Sequence, residues 1–301
     1  MLYSLLLAAA SGAAFIAFAL TCIAPYTMPL VGRPEIVRTM TATFPGVRSI
    51  DIHNENGPVR VQTGTGHEVR VTAVIRACPL TRNAAQKAHV TRYEPMSIEQ
   101  NGDTLLARPV SGRIAEDVNI AVDYAIEAPP GTDIAIENVN GNVKVTGSFG
   151  AVNVSGQNAD AELTSPQGTV TVRTLNGRVR LTDAAQGADI ETVNGNIYAH
   201  VTGGALRAET RNGLIVARVA DPSVTECNLT TLNGGITVVL SEPCSVAVDA
   251  KTQHGRARSD WPMMTGAENV LQRIAGTIGS GNMPLRMETV NGNIWIARDT
   301  S

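Results

Sequence analysis

The sequence predicts an all-β fold: a β-solenoid of about eighteen-residue coils with two short strands each, preceded by a small β-rich capping region with one helix. Three observations carry that prediction. An Asn-centred turn returns every eighteen residues, at Asn140, Asn158, Asn176, Asn194 and Asn212, and recurs at Asn233 and Asn291. Apolar residues hold fixed offsets on both sides of each Asn. Glycines mark a second corner at Gly150, Gly168, Gly187 and Gly204. A fixed period of this length marks a repeat architecture, in which each unit buries its apolar face only against its neighbours.

With each turn Asn as position zero, position −6 runs Ile134, Val152, Val170, Ala188, Leu206, Cys227 and Leu285. Position −4 runs Ile136, Val154, Val172, Ile190, Ala208, Leu229 and Met287. After the turn, +3 and +5 are apolar as well, from Val143 and Val145 to Ile294 and Ile296. Pairs two apart are strand periodicity with one buried face. Asn-Gly between such segments is also a hairpin signal. Position −1 argues against the hairpin, because Val139, Leu175, Val193, Leu232 and Val290 are apolar too. The apolar phase shifts by an odd step between −4 and −1, as in a strand that bends inward round a corner. These side chains are therefore expected to enter the core. The Asn residues are expected to form a structural turn ladder, tolerating a left-handed backbone and bonding to the corner.

In chain order, residues 5–24 carry no charge and are long enough to cross a bilayer at about 1.5 Å per helical residue. They also read as a signal peptide, with Ala17-Phe18-Ala19 as the cleavage site. Residues 1–24 are thus a signal peptide or membrane anchor, and the rest is expected to be exported, periplasmic or at the cell surface. Arg33, Arg38 and Arg48 after the run weigh the other way by the positive-inside rule. Residues 25–45 hold four prolines and read as a linker leading to a first strand. Residues 46–127 form a β-rich cap continuous with the solenoid. Within it Asn56-Gly57 repeats the turn grammar, 81–92 is a helix candidate capped by Thr81, and Asn101-Gly102 closes a short hairpin. The solenoid covers 128–301, and 256–284 breaks the period as an excursion that covers or caps the stack.

The charge balance is −3 and no basic run stands out, so no nucleic acid is expected as a partner. Cys227 and Cys244 are seventeen apart, nearly one coil. They are either within disulfide reach in an oxidising compartment or two small buried side chains.

The segments VRSIDIHNENGPVRV (47–61), YAIEAPPGTDIAIENVNGNVKV (124–145), the repeated VNGNI turns and GTIGSGNMPLRMETVNGNIWI (276–296) carry a resemblance. Over about residues 46–298 the chain resembles a family of bacterial adhesin-like β-solenoid domains of unknown function. The resemblance implies a mostly non-enzymatic envelope role and brings no catalytic residues with it.

The residues themselves show no nucleophile motif or metal-ligand spacing. His53, His67, His89, His200 and His254 are scattered and read as solvated surface residues. The dense acidic set is Asp160, Glu162, Asp183 and Asp189, which a glycan-cleaving site would need to bring across one groove. The expectation is therefore no enzyme, no metal and no cofactor. The expected function is an adhesion or protein-interaction surface that meets a protein or glycan at the cell envelope, with the membrane reached through the N-terminal segment. A polysaccharide-active β-helix enzyme and a scaffold that self-associates through its solenoid ends are the alternatives.

Overall fold

The structure is a computed structural model that describes residues 19–21, 35–79, 96–109, 118–219, 223–262, 268–270 and 272–299. Among these residues are two 13-stranded sheets and no helix. The helix candidate 81–92 lies outside the described residues, as does most of the uncharged run 5–24. Of that run, Ala19–Thr21 form a short strand antiparallel to Thr39–Thr41. Among the described residues no helix is long and apolar enough to cross a membrane.

Each repeat contributes one strand to each sheet. The strand before the Asn, such as Val170–Asn176 or Ala188–Asn194, joins the pre-turn sheet. The strand after it, such as Val179–Ala184 or Ile197–Val201, joins the post-turn sheet. Pairing between successive repeats is parallel and in register: Asn140 faces Asn158, then Asn176, Asn194 and Asn212, each eighteen residues on. Stacked parallel strands, not hairpins, make the body, and the result is β-solenoid-like. Positions −6, −4, +3 and +5 line one continuous core between the sheets.

Position −1 does not enter that core. Leu175 and Leu232 are 48% and 42% exposed, and Val139, Val193 and Val290 are half-buried. The residue that points inward at the corner is −2: Asn138, Thr174, Thr192, Thr210, Thr231 and Thr289 are all buried. Strand alternation simply runs on from −6 through −4 to −2. A polar residue is tolerated there because the corner supplies a partner. The hydroxyls of Thr210, Thr231 and Thr289 donate to the carbonyls of Gly195, Gly213 and Gly234 at 3.0, 3.0 and 2.9 Å. A buried hydroxyl that is hydrogen-bonded escapes most of the desolvation penalty.

The glycine after the Asn is explained by approach more than by backbone sign. Only Gly57 and Gly141 of these turn glycines have positive φ. A methyl on Gly195 would collide with the Gly177 carbonyl, and one on Gly213 with that of Gly195. At these glycines the corners stack backbone on backbone, which leaves no room for a side chain; Ala159 is the exception, with Gly156 beside it.

Both ends depart from chain order. Ser49–Asn56 and Val59–Thr63 stack directly on Asp133–Asn140 and Val143–Thr146. The intervening chain folds outside them, as the antiparallel pair Glu68–Pro79 and Val118–Ala128 and the hairpin Met96–Asn101 and Thr104–Pro109. From the stretch read as a linker, Glu35–Pro45 adds a further antiparallel strand.

At the other end, Met283–Asn291 and Ile294–Arg298 insert between the 224–240 repeat and the 246–259 repeat. The outermost repeat therefore comes from residues 246–259, with His254 at its turn. Arg273–Ile278 extends the pre-turn sheet beside it, antiparallel to Val246–Thr252, and Glu268–Val270 pairs antiparallel beyond it at the edge. Trp261 is buried against the other sheet, donating its indole N–H to the Ala297 carbonyl at 3.2 Å. The inserted strand also parts Cys227, which pairs with Leu285, from Cys244, and both are free thiols.

Candidate interaction surface

The turn asparagines form a directional amide ladder. Asn158 donates its side-chain N–H to the Asn140 oxygen at 2.8 Å, Asn176 to Asn158 at 3.0 Å and Asn194 to Asn176 at 2.9 Å. Asn212, Asn233 and Asn291 continue at 2.7, 2.8 and 2.8 Å. At the other end Asn140 donates to Asn56 at 3.0 Å, and Asn56 to the Ile120 carbonyl at 3.3 Å. The ladder holds the corner in register; its amides bond to one another along the stack. The backbone N–H of the turn glycine donates to the carbonyl of the next Asn in the stack, as Gly195 does to Asn212 at 3.2 Å. Further round the corner side chains take part, as where Asp160 accepts from the Arg178 N–H at 2.7 Å.

Beside this ladder lies the outer face of the pre-turn sheet, with three outward columns. Column −1 is mostly apolar: Glu55, Val139, Gln157, Leu175, Val193, Arg211, Leu232 and Val290. Columns −3 and −5 are polar and charged, and cross-linked by ion pairs. Arg173 meets Asp189 at 3.0 Å and Glu191 at 3.6 Å, and Lys251 meets Glu288 at 3.2 Å. His53 lies between Asp51 at 3.2 Å and Glu137 at 3.1 Å. A concavity of about 330 Å³ opens where the short Asn228 and Thr230 sit between Arg207 with Glu209 and Arg286 with Glu288.

The post-turn sheet shows a different face. Lys144 pairs with Glu162 at 2.9 Å, the Arg180 guanidinium lies 5.3 Å from the Tyr198 ring, and that of Arg258 lies 4.2 Å from the Trp295 ring. The acidic set of the sequence is divided between the two faces. Glu162 is on the post-turn sheet and Asp189 on the pre-turn sheet, while Asp160 binds a turn amide. Asp183, held at a φ of 56°, meets His200 Nδ1 at 2.7 Å. The four do not share a groove. Among the described residues no group of three or more His, Cys, Asp or Glu is placed to hold a metal ion.

Parallel stacks joined by an amide ladder, with broad outward sheet faces, define the class as a β-solenoid-like repeat protein. The chain matches the Toastrack DUF4097 family over residues 47–297 and belongs to it. No curated protein matches the chain. Among solved structures it is similar to a "putative adhesin" from Bacteroides fragilis NCTC 9343, at 11% identity over 86% of this chain and 97% of that one, with a TM-score of 0.46. It is also similar to a "putative cell adhesion protein" from Clostridium sporogenes ATCC 15579, at 12% identity over 89% and 98%, TM-score 0.24. A "putative lipid binding protein" from Parabacteroides distasonis ATCC 8503 matches at 11% identity over 89% and 98%, TM-score 0.31.

Proposed function

We propose that the protein is a non-catalytic, envelope-associated adhesion or protein-interaction module whose working surface is the outer face of the pre-turn sheet. The observation that carries this reading is the apolar −1 column, with Leu175 and Leu232 48% and 42% exposed beside two charged columns. Monomeric proteins rarely leave an ordered apolar stripe in water, and a stripe rimmed by charge is a common form of binding surface. The uncharged N-terminal run and its Ala17-Phe18-Ala19 motif support export, and the resemblance to adhesin-like domains supports the surface role.

Two experiments test it. In intact cells expressing the full chain, an external protease should cleave the region after residue 25; complete protection, with cleavage only after lysis of the inner compartment, overturns the envelope assignment. Cells displaying the chain should adhere to envelope-coated surfaces, and Leu175→Ser with Leu232→Ser should remove most of that adherence. Turnover of glycans that disappears with Asp183→Asn would replace this reading by the enzymatic one.

A further inference from the structure

The three outward columns of the pre-turn sheet match a second copy of themselves. Between the strands Val170–Asn176 and Ala188–Asn194 a twofold axis in the plane of the face, parallel to the strands, maps each column onto itself and reverses the order of repeats. Under that operation Leu175 faces Val193 of the other copy and Val139 faces Leu232, apolar on apolar, while at the end of column −1 Glu55 faces Val290. Two of the polar interruptions coincide, Gln157 facing Arg211. In column −3, Arg173 faces Glu191 and His53 faces Glu288; in column −5, Asp51 faces Arg286 and Asn153 faces Arg207. Over the eight repeats from the turn at Asn56 to that at Asn291, no two like charges face each other: Arg173 meets Glu191 and Asp51 meets Arg286, while Glu288 faces His53 and the remaining charges face neutral residues. The match ends one repeat further out, where Arg108 would face Lys251.

We infer that this face is the interface of an isologous dimer, face to face, with repeats antiparallel. The inference deepens the interaction-surface reading by naming its partner as a second copy of this chain. A closed twofold contact of this kind buries the same patch on both copies. Eight repeats at about 4.8 Å and three columns at about 3.3 Å per residue give roughly 700 Å² per copy with side-chain margins. That is near the roughly 800 Å² per partner of a standard interface. The face is flanked by charge and carries only a narrow apolar column, so the association is reversible and weakened by salt. It differs from end-to-end polymerisation because it leaves the sheet edges unused.

The test is sedimentation of the full 301-residue chain across a concentration series, with two charge reversals. Arg173→Glu sets a carboxylate against Glu191 of the other copy, and Glu191→Arg sets a guanidinium against Arg173. Both positions are exposed, so the fold should persist, which an unchanged melting temperature checks. Each variant alone should dimerise about tenfold or more weakly than the parent. Mixed in equal amounts, the two should recover dimer, because every reversed charge then faces an opposite one. The mixture isolates the contact between copies, since Arg173 and Glu191 also meet within one chain at 3.6 Å. A parent that stays monomeric, reversals that dimerise as strongly as the parent, or a mixture no better than its components each overturn the inference. A monomeric parent whose cells still adhere in the Leu175 and Leu232 assay removes the self-partner and leaves the surface reading standing.

Discussion

Gly156 and Ala159 exchange the side chains that the other repeats carry at the same corner. Elsewhere −2 is Thr or Asn and +1 is Gly; here −2 is Gly156 and +1 is Ala159. A Cβ on Gly156 would lie 2.8 Å from the Ala159 methyl, which is itself buried at 2% exposure. One methyl fills the space that a Thr side chain fills in the neighbouring repeats. Gly156→Thr alone should therefore overpack the corner and cost about 1–3 kcal/mol. Ala159→Gly alone leaves a small void and adds backbone freedom, costing about 1 kcal/mol. The double variant should cost less than the sum of the two, with a coupling of at least about 0.5 kcal/mol read from a double-mutant cycle. Rescue should be partial, because the Asn138 carbonyl also lies 2.8 Å from the added Cβ. Additive costs would show that the two sites are independent.

The amide ladder has a direction, and that direction gives a position-dependent prediction. Asn194 donates to Asn176 and accepts from Asn212. In Asn194→Asp the carboxylate still accepts, yet it sets an oxygen against the Asn176 oxygen. A cost of about 1 kcal/mol is expected in chemical denaturation at neutral pH. At the foot of the ladder Asn56 donates only to the Ile120 carbonyl, at 3.3 Å. Asn56→Asp should be the milder change. Equal effects at the two positions would mean that the ladder bonds contribute nothing beyond those to water.

Cys227 links stability to alkaline pH. Burial first, and the Glu226 carboxylate second, push its thiol from 9.0 up to about 12. Its folded-state value is raised, so the unfolded chain loses the proton first. The stabilisation is complete below about pH 9 and is lost as pH rises towards 12. Each pH unit within that window approaches about 1.4 kcal/mol. Cys227→Ala should be less stable than the parent at pH 8 because of its cavity, and its stability should fall less steeply between pH 9 and 10. Identical slopes would place the thiol in water.

Much of this architecture was legible in the sequence because a solenoid writes each layer in the same letters. The −6, −4, +3 and +5 residues are core as the alternation predicts, from Val170 and Val172 to Ile197. The inward corner was not legible. The apolar residues at −1 suggested burial, while the threonines at −2 gave no sign of it; what admits them is a carbonyl in the next repeat, as Gly195 serves Thr210. Stacking thus succeeds as a reading although the residue used to argue for it, Val193, faces outward. The insertion of Met283–Asn291 between two earlier repeats was equally hidden, because the chain order of repeats carries no record of their order in the stack. The exposed surface itself was spelled out by the −1 column, under the wrong orientation.

Val193 and Thr192 provide the most direct test of whether that column is surface or core. Thr192 is 2% exposed, with its hydroxyl 3.4 Å from the Gly177 carbonyl, whereas Val193 is half-buried on the outer face. Thr192→Asp would put an unpaired carboxylate inside the corner and should cost about 3 kcal/mol or more. Val193→Asp should stay near the 0.5 kcal/mol typical of surface changes. Both are to be measured by chemical denaturation at low protein concentration, so that association does not add to the apparent stability. A large loss for Thr192→Asp with a small one for Val193→Asp is the predicted result. A Val193→Asp protein destabilised as much as Thr192→Asp would contradict it, and would return the apolar column to the core and remove the surface built on it.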